Sequence, residues 1–251
     1  MAGAWSFLLS FSRALSLAAG FLGGSTVLVV PPYRFLVPRR ELDSAVRNAE
    51  HVFFLRDYER VKGFEPEGVV VDIGAYLGFY SVRASRRSEA VVAVEANPLA
   101  CHYLKVNLRL NSARSVKPLC AAIDQESGAR TFYVAERIIN SSLLLEYVED
   151  FSKLSAVIRV PAVTLGQLLE LVGIEEVDLL KVDVEGAEAR VLRGGRELLE
   201  RGVFKRVVVE VHPPYSTARE VAELLGPRYR SLVLAEGSAP NQVFVYAERI
   251  A

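Results

Sequence analysis

Short runs of β-branched and aliphatic residues alternate along the chain with longer stretches in which apolar positions recur every three or four residues. Runs of the first kind read as buried strands and stretches of the second as amphipathic helices. Strands are predicted over 69–73, 91–95, 116–123, 177–183, 206–211, 231–235 and 242–247, and helices over 79–87, 99–110, 187–201 and 216–225. The order is β-α-β-α-β, an insertion, then β-α-β-α-β-β. Because the strands are apolar on both faces, the pattern implies an α/β protein in three layers. Helices cover both sides of a mainly parallel seven-stranded sheet whose last two strands are antiparallel. The insertion, about 125–173, carries two further strands, 130–135 and 157–163, and a short helix, 165–171.

Ahead of this main unit, 61–251, residues 1–60 form an extension. No charge occurs from Ala14 to Tyr33, but Gly20, Gly23, Gly24 and the pair Pro31-Pro32 interrupt the run, whereas a membrane span wants about 20 uninterrupted apolar residues. A helix followed by a hairpin is expected, with strands over 26–30 and 35–37 around a turn at 31–34, and a further helix over 41–58. An amphipathic contact with a membrane surface through Trp5, Phe7, Leu8, Phe11 and Leu15 stays open.

Charge narrows the partners. Thirty Lys and Arg balance thirty Asp and Glu over 251 residues, so no general attraction to nucleic acid follows. The two cysteines, Cys101 and Cys120, have neither a CxxC partner nor a zinc-type His spacing. They read as buried free thiols of a cytoplasmic protein, with a disulfide between them as the alternative.

The most informative local pattern is Asp72-Ile73-Gly74-Ala75-Tyr76-Leu77-Gly78, where an apolar strand ends in an acid and passes through glycines into a helix. The spacing is not the G-x-G-x-x-G that seats a pyrophosphate on a helix N-terminus, which argues against a nicotinamide cofactor. A carboxylate before the turn repels phosphate and accepts hydrogen bonds from an amino group. The second strand ends in Glu95-Ala96-Asn97-Pro98, which places an acid where it can accept from both hydroxyls of a ribose. Glycines alone require no more than a tight turn; with both acids at strand ends they describe a nucleoside site. The segment resembles the nucleoside-binding half of class I S-adenosylmethionine-dependent methyltransferases, a Rossmann-like fold. The resemblance implies S-adenosylmethionine as cofactor, with Asp72, Gly74, Ala75 and Gly78 along its methionine part, Glu95, Ala96 and Asn97 at the ribose, and Asp124 near the adenine amino group.

A second charged cluster closes the fourth strand: Lys181, Asp183, Glu185 and Glu188 around Gly186. Strand alternation puts Lys181 and Asp183 on one face, where they can pair. This Lys-x-Asp-x-Glu-Gly-x-Glu pattern resembles the FkbM family of methyltransferases, as do Asn140-Ser141-Ser142-Leu143, Val163-Thr164-Leu165 and Val209-Glu210-Val211-His212. Gly166 departs from the acid common in the family after Thr-Leu. The resemblance implies methylation of a hydroxyl on a sugar, lipid-linked sugar or other small metabolite. Asp183, His212 and Glu210, in that order, are the candidate general bases, with Lys181 beside them. Asp183, Glu185 and Glu210 are able to supply oxygens to Mg or Ca, but no ligand spacing demands a metal, and none is expected. Two other functions are weighed. His212-Pro213-Pro214-Tyr215 is similar to the Asn-Pro-Pro-Tyr motif of nucleic-acid amine methyltransferases, but follows the fifth strand and lacks a basic stripe. A non-catalytic nucleoside-binding module would be suggested by loss of Asp72, Glu95 or the glycines, and all are present.

Overall fold

The computed structural model describes residues 24–234 and 242–250. The expected first helix, its membrane-facing residues and Ala235 lie outside the described residues. Two strands, β1 (Ser25–Val30) and β2 (Tyr33–Pro38), pair antiparallel around Pro31-Pro32. Helix α1 (Leu42–Ala49) continues as a π-helical turn over Glu50–Leu55 and stops at Arg56, which takes a left-handed conformation at φ +55°. The helix expected over 41–58 is therefore broken.

The remaining strands are β3 (Gly68–Ile73), β4 (Ser88–Glu95), β5 (Val116–Cys120), β6 (Ala122–Ile123), β7 (Gly128–Ala135), β8 (Leu154–Val163), β9 (Val177–Val182), β10 (Phe204–Val211), β11 (Tyr229–Leu234) and β12 (Val243–Arg249). Seven of them form one sheet in the order β11-β12-β10-β9-β3-β4-β5. Every pair from β10 to β5 is parallel, while β12 runs antiparallel to both β10 and β11. The expected sheet and its antiparallel last pair are thus present, with β12 inserted between β10 and β11. The chain winds outward from β3 in one direction and from β9 in the other. The crevice at their carboxyl ends is the switch point at which such sheets bind ligands.

Alternation along the strands sorts the core into two layers. Val70, Leu179, Val208 and Phe244 join the hairpin and Phe79 on one face. Val71, Leu180, Val207 and Val245 meet Leu168, Leu192 and Val221 on the other. By the same period-two rule Asp72 and Lys181, opposite each other in register, emerge on the hairpin face.

Helices α2 (Phe79–Ala84) and α3 (Pro98–Leu110) follow β3 and β4. The insertion contributes α4 (Leu145–Phe151), which the periodicity did not reveal, and α5 (Leu165–Val172), closed by a capping box between Thr164 and Gln167. After β9 the helix expected over 187–201 is two, α6 (Glu188–Gly194) and α7 (Arg196–Arg201). They part at two glycines whose absent side chains admit neighbours: a Cβ on Gly194 would lie 2.3 Å from the Asp124 carbonyl, and one on Gly195 2.5 Å from Leu165 Cδ1. Helix α8 (Ala218–Leu225) precedes β11. The strand expected over 116–123 is also two, because the chain leaves the main sheet at Ala121 and β6 pairs with β8 in a three-stranded sheet with β7. No helix among the described residues is long and apolar enough to cross a membrane.

Cys101 and Cys120 are not free thiols but a disulfide, Cα to Cα 5.7 Å, that joins α3 to the end of β5. Helix α3 packs over β5 and brings the two residues together, which the spacing in sequence does not show; the free-thiol argument for a reducing compartment falls with it. With the cysteines 19 positions apart in sequence, replacing both by serine is expected to lower the unfolding free energy by about 3 kcal/mol. Urea unfolding of wild type and the double serine variant checks this, and equal midpoints would contradict it.

Candidate active site

The turn after β3 is fixed by its glycines. Gly74 has φ +79°, its N–H donates to the Val94 carbonyl at 2.9 Å, and a Cβ there would stand 1.6 Å from the Asp183 carbonyl. No other residue permits this approach of β3 to the end of β9. Gly78 caps α2 at φ +91°, and a Cβ on it would press within 2.7 Å of Leu104 Cδ1, so it serves the packing of α2 on α3. Tyr76 between them has φ +50° and turns its N–H onto Glu95 Oε2 at 2.7 Å.

Glu95 is the polar centre of a cavity at the carboxyl ends of β3 and β4. Its other oxygen accepts from Asn97 N–H at 2.7 Å. Burial pushes its carboxyl up to about 7, although the two backbone donors work in the opposite direction. The lining divides by chemistry. Ala96, Ala122, Ile123, Phe132 and Leu143 make an apolar slot on one side of Glu95; Gly74, Asp183 and Glu185 form the other end. No Lys or Arg lines the cavity among the described residues, so nothing there would neutralise a pyrophosphate. Asn97 itself caps α3 through Leu99 N–H and donates to Ser141 Oγ at 3.1 Å, which positions the insertion against the slot.

Two acids expected against the cofactor have other partners. Asp72 is fully buried beneath the turn, accepts from Ser81 Oγ at 2.5 Å and lies 3.0 Å from Lys181 Nζ. Asp124 is held by Arg130 Nε at 2.6 Å and by Arg190 Nε at 2.7 Å, tying the insertion to α6. Burial opposes ionisation of Asp124, but the arginines outweigh it and depress its pKa. Neither residue lines the cavity, nor does Gly78. A contact between Asp124 and a bound adenine would require it to leave two guanidinium groups.

Lys181 is a buried cross-brace. Its ammonium donates to the Gly74 carbonyl at 2.9 Å, lies 3.5 Å from Asp183 Oδ2 and stands over the Tyr58 ring at 5.0 Å. Burial would lower its pKa, but Asp72 and Asp183 raise it, so it stays charged.

A second cavity is lined by Asp43, Ser44 and Arg47 of α1, Arg137 of the insertion, and Asp183, Glu185 and Glu210. The two cavities share Asn48, Ile139, Asp183 and Glu185. Helix α1 is held over this junction by Glu41, a fully buried carboxylate that accepts from Tyr76 Oη at 3.2 Å and Ile138 N–H at 3.0 Å. Tyr58 Oη lies 2.8 Å from Asp183 Oδ2 and 2.7 Å from Glu210 Oε2. One phenolic proton cannot serve both acids. Burial, then the Asp183 charge, raise the Glu210 carboxyl. Asp183 lines both cavities.

His212 lines neither cavity. Its Nδ1 is 2.8 Å from Glu188 Oε1. Burial would lower its pKa, yet Glu185 and Glu188 lift it well above the ordinary value. Its place outside both cavities and the carboxylates around it set His212 apart from Asp183. Glu185, at φ +55°, receives the Tyr147 hydroxyl, and its carboxyl is pushed up to about 8 by burial, with Asp183 adding to the rise and His212 opposing it. Tyr58 and Asn48 complete the junction without any sequence motif to announce them, since both come from the extension; Glu185 sits inside the charged pattern and was legible there.

Comparison with known proteins agrees with this geometry. The profile described as the methyltransferase FkbM domain matches residues 72–232. Methyltransferase sdnD of Sordaria araneosa is 31% identical over 185 residues, spanning 62% of this chain and 71% of the relative. Methyltransferase 1 of Beauveria bassiana is 26% identical over 162 residues, 58% of this chain and 65% of its own. Among solved structures, an rRNA methylase from Streptococcus thermophilus superposes with a TM-score of 0.47 at 12% identity, covering 74% of this chain and 89% of that one. With the matched profile spanning the glycine turn, Glu95 and the charged end of β9, the chain belongs to the FkbM family of S-adenosylmethionine-dependent methyltransferases.

Proposed function

We propose that the protein methylates a hydroxyl group of a sugar, lipid-linked sugar or other small metabolite, with the cofactor in the first cavity and the acceptor in the second. The observation that carries this reading is the pair of cavities meeting at Asp183 and Glu185. The lining suits S-adenosylmethionine: Glu95 for the two ribose hydroxyls, an apolar slot for the purine, carboxylates for the cationic end, and no phosphate cradle. When bound, the cofactor supplies an electrophilic methyl group on a sulfonium. The chain's own contribution is placement of the nucleophile and removal of its proton. Asp183 accepts that proton; Lys181 and Tyr58 are positioning groups that hold its Oδ2 and leave Oδ1 toward the cavities. Glu210 shares the Tyr58 hydroxyl with Asp183.

Two results test the reading. Incubation with methyl-labelled cofactor and a panel of hydroxylated sugars, glycolipids and small metabolites is expected to give an alkali-stable methyl ether, and Asp183→Asn to lower the rate by about 10²- to 10⁴-fold with cofactor affinity retained. Label found only in nucleic acid or in amines would sink it. The pH dependence of S-adenosylhomocysteine binding has a defined sign. Glu95 accepts with both oxygens only when ionised, so affinity rises as pH passes upward through about 7. It falls by up to about tenfold per pH unit below that. Calorimetry from pH 6 to 8 measures this, with Glu95→Gln expected to be flat over the same range.

A further inference from the structure

The carboxyl ends of β3, β9 and β10 and the start of α6 carry a surplus of acid. Asp72, Asp183, Glu185, Glu188 and Glu210 gather around Lys181 and His212, with His51 acting on Glu210 alone, and Lys181 is committed to Asp72 and the Gly74 carbonyl. Within this group one ligand atom each from Asp183, Glu185 and His212 lie within 4.8 Å of one another. Their arrangement is specific. His212 Nδ1 is taken by Glu188 Oε1 at 2.8 Å, which leaves Nε2 directed at Glu185 Oε2, 3.5 Å away, and Asp183 Oδ1, 3.9 Å away. Both separations are too long for hydrogen bonds. Ligand atoms that each stand about 2.0 to 2.2 Å from one shared ion are separated by about 3 to 4 Å.

A second observation is independent of that spacing. Glu188, behind the histidine, is fully buried; its Oε1 also receives Gly186 N–H at 2.9 Å, and its Oε2 has no hydrogen-bond partner. A buried carboxylate on the far nitrogen of an imidazole is the outer-shell arrangement that orients metal-binding histidines and strengthens them as ligands. Glu210, an oxygen donor in the sequence reading, is instead committed to Tyr58 and Gln242.

We propose that Asp183, Glu185 and His212 bind one divalent first-row cation, with Glu188 as the group that positions His212. One imidazole and two carboxylates suit manganese, iron or zinc better than calcium. The site rests on the two-cavity reading for its use: Asp183 and Glu185 line the junction, so an ion there polarises the acceptor hydroxyl and makes its proton easier to remove. The ion supplements Asp183 and changes no step in the balance of the transfer, in which the hydroxyl loses a proton and gains a methyl group.

The test uses wild-type protein stripped with chelator and titrated with Mn²⁺ by calorimetry and electron paramagnetic resonance. One Mn²⁺ per chain is expected, with nitrogen modulation from an imidazole ligand in the pulsed spectrum. Glu188→Gln is expected to weaken binding by about ten- to a hundredfold, and His212→Gln to abolish the nitrogen signal. Absence of Mn²⁺ binding at millimolar concentration, or binding without nitrogen modulation, overturns the site. Because the spectrum is read on wild type, it decides the matter even if a variant fails to fold. S-adenosylhomocysteine titrated into the same metal-free sample separates the two claims: its binding without Mn²⁺ binding rejects the metal alone, and failure of both rejects the cofactor reading with it.

Discussion

Replacing Lys181 with methionine is expected to destabilise the protein by about 3 to 5 kcal/mol, the cost of breaking a buried charge pair by removing one partner. The side chain is 3% exposed and sits between Asp72 and Asp183. Methionine fills the volume but leaves Asp72 in the core without a cation, takes one cation away from Asp183, and leaves the Gly74 carbonyl without its donor. The last loss matters for function, because the same carbonyl belongs to the turn that lines the cofactor cavity. Loss of stability and of cofactor affinity should therefore appear together. Lys181→Met with Asp72→Asn should recover part of the stability, since the partner charge is removed as well. Urea unfolding of the three proteins measures both effects. A single substitution that costs less than about 1 kcal/mol would mean that Lys181 is a solvated surface charge in solution.

Glu95→Ala is expected to weaken S-adenosylhomocysteine binding by at least about a hundredfold. The carboxylate has one backbone donor on each oxygen and a lone pair of each left for the cavity. Two hydrogen bonds to a charged acceptor, at about 1.5 to 3 kcal/mol each, account for that factor or more. Alanine also leaves the N–H groups of Tyr76 and Asn97 without acceptors, so Glu95→Gln is the better-behaved comparison. It keeps one acceptor oxygen and is expected to fall between wild type and alanine. Calorimetric titration distinguishes the three, and equal affinities would remove Glu95 from the site.

The main sheet was legible because apolar strands with amphipathic helices between them leave a periodic trace. What that trace cannot carry is the departure of the chain from the sheet at Ala121, or the break between α6 and α7. Both depend on close approaches of segments far apart in sequence, Gly194 to the Asp124 carbonyl among them. The disulfide stood in the sequence only as the alternative to free thiols for the same reason. In the site, Gly74 and Glu95 were found by their places at strand ends, and they line the cavity. Asp72 and Asp124 occupy equivalent places, but each is captured by a cation, Lys181 for the first and Arg130 with Arg190 for the second. Strand position says where a carboxylate stands and not what neutralises it. Asn48 and Tyr58 belong to the extension, outside every motif: Glu41 bolts α1, which carries Asn48, over the junction, and Tyr58 packs edge-on against Tyr80 and Phe244.

The most direct test of the account is calorimetric titration of the purified protein with S-adenosylmethionine and S-adenosylhomocysteine, with NAD as control. Binding of both sulfur nucleosides at one per chain, and no heat from NAD, is the predicted result. A folded protein that binds neither nucleoside, or that binds NAD in their place, would contradict the assignment of the cavity around Glu95.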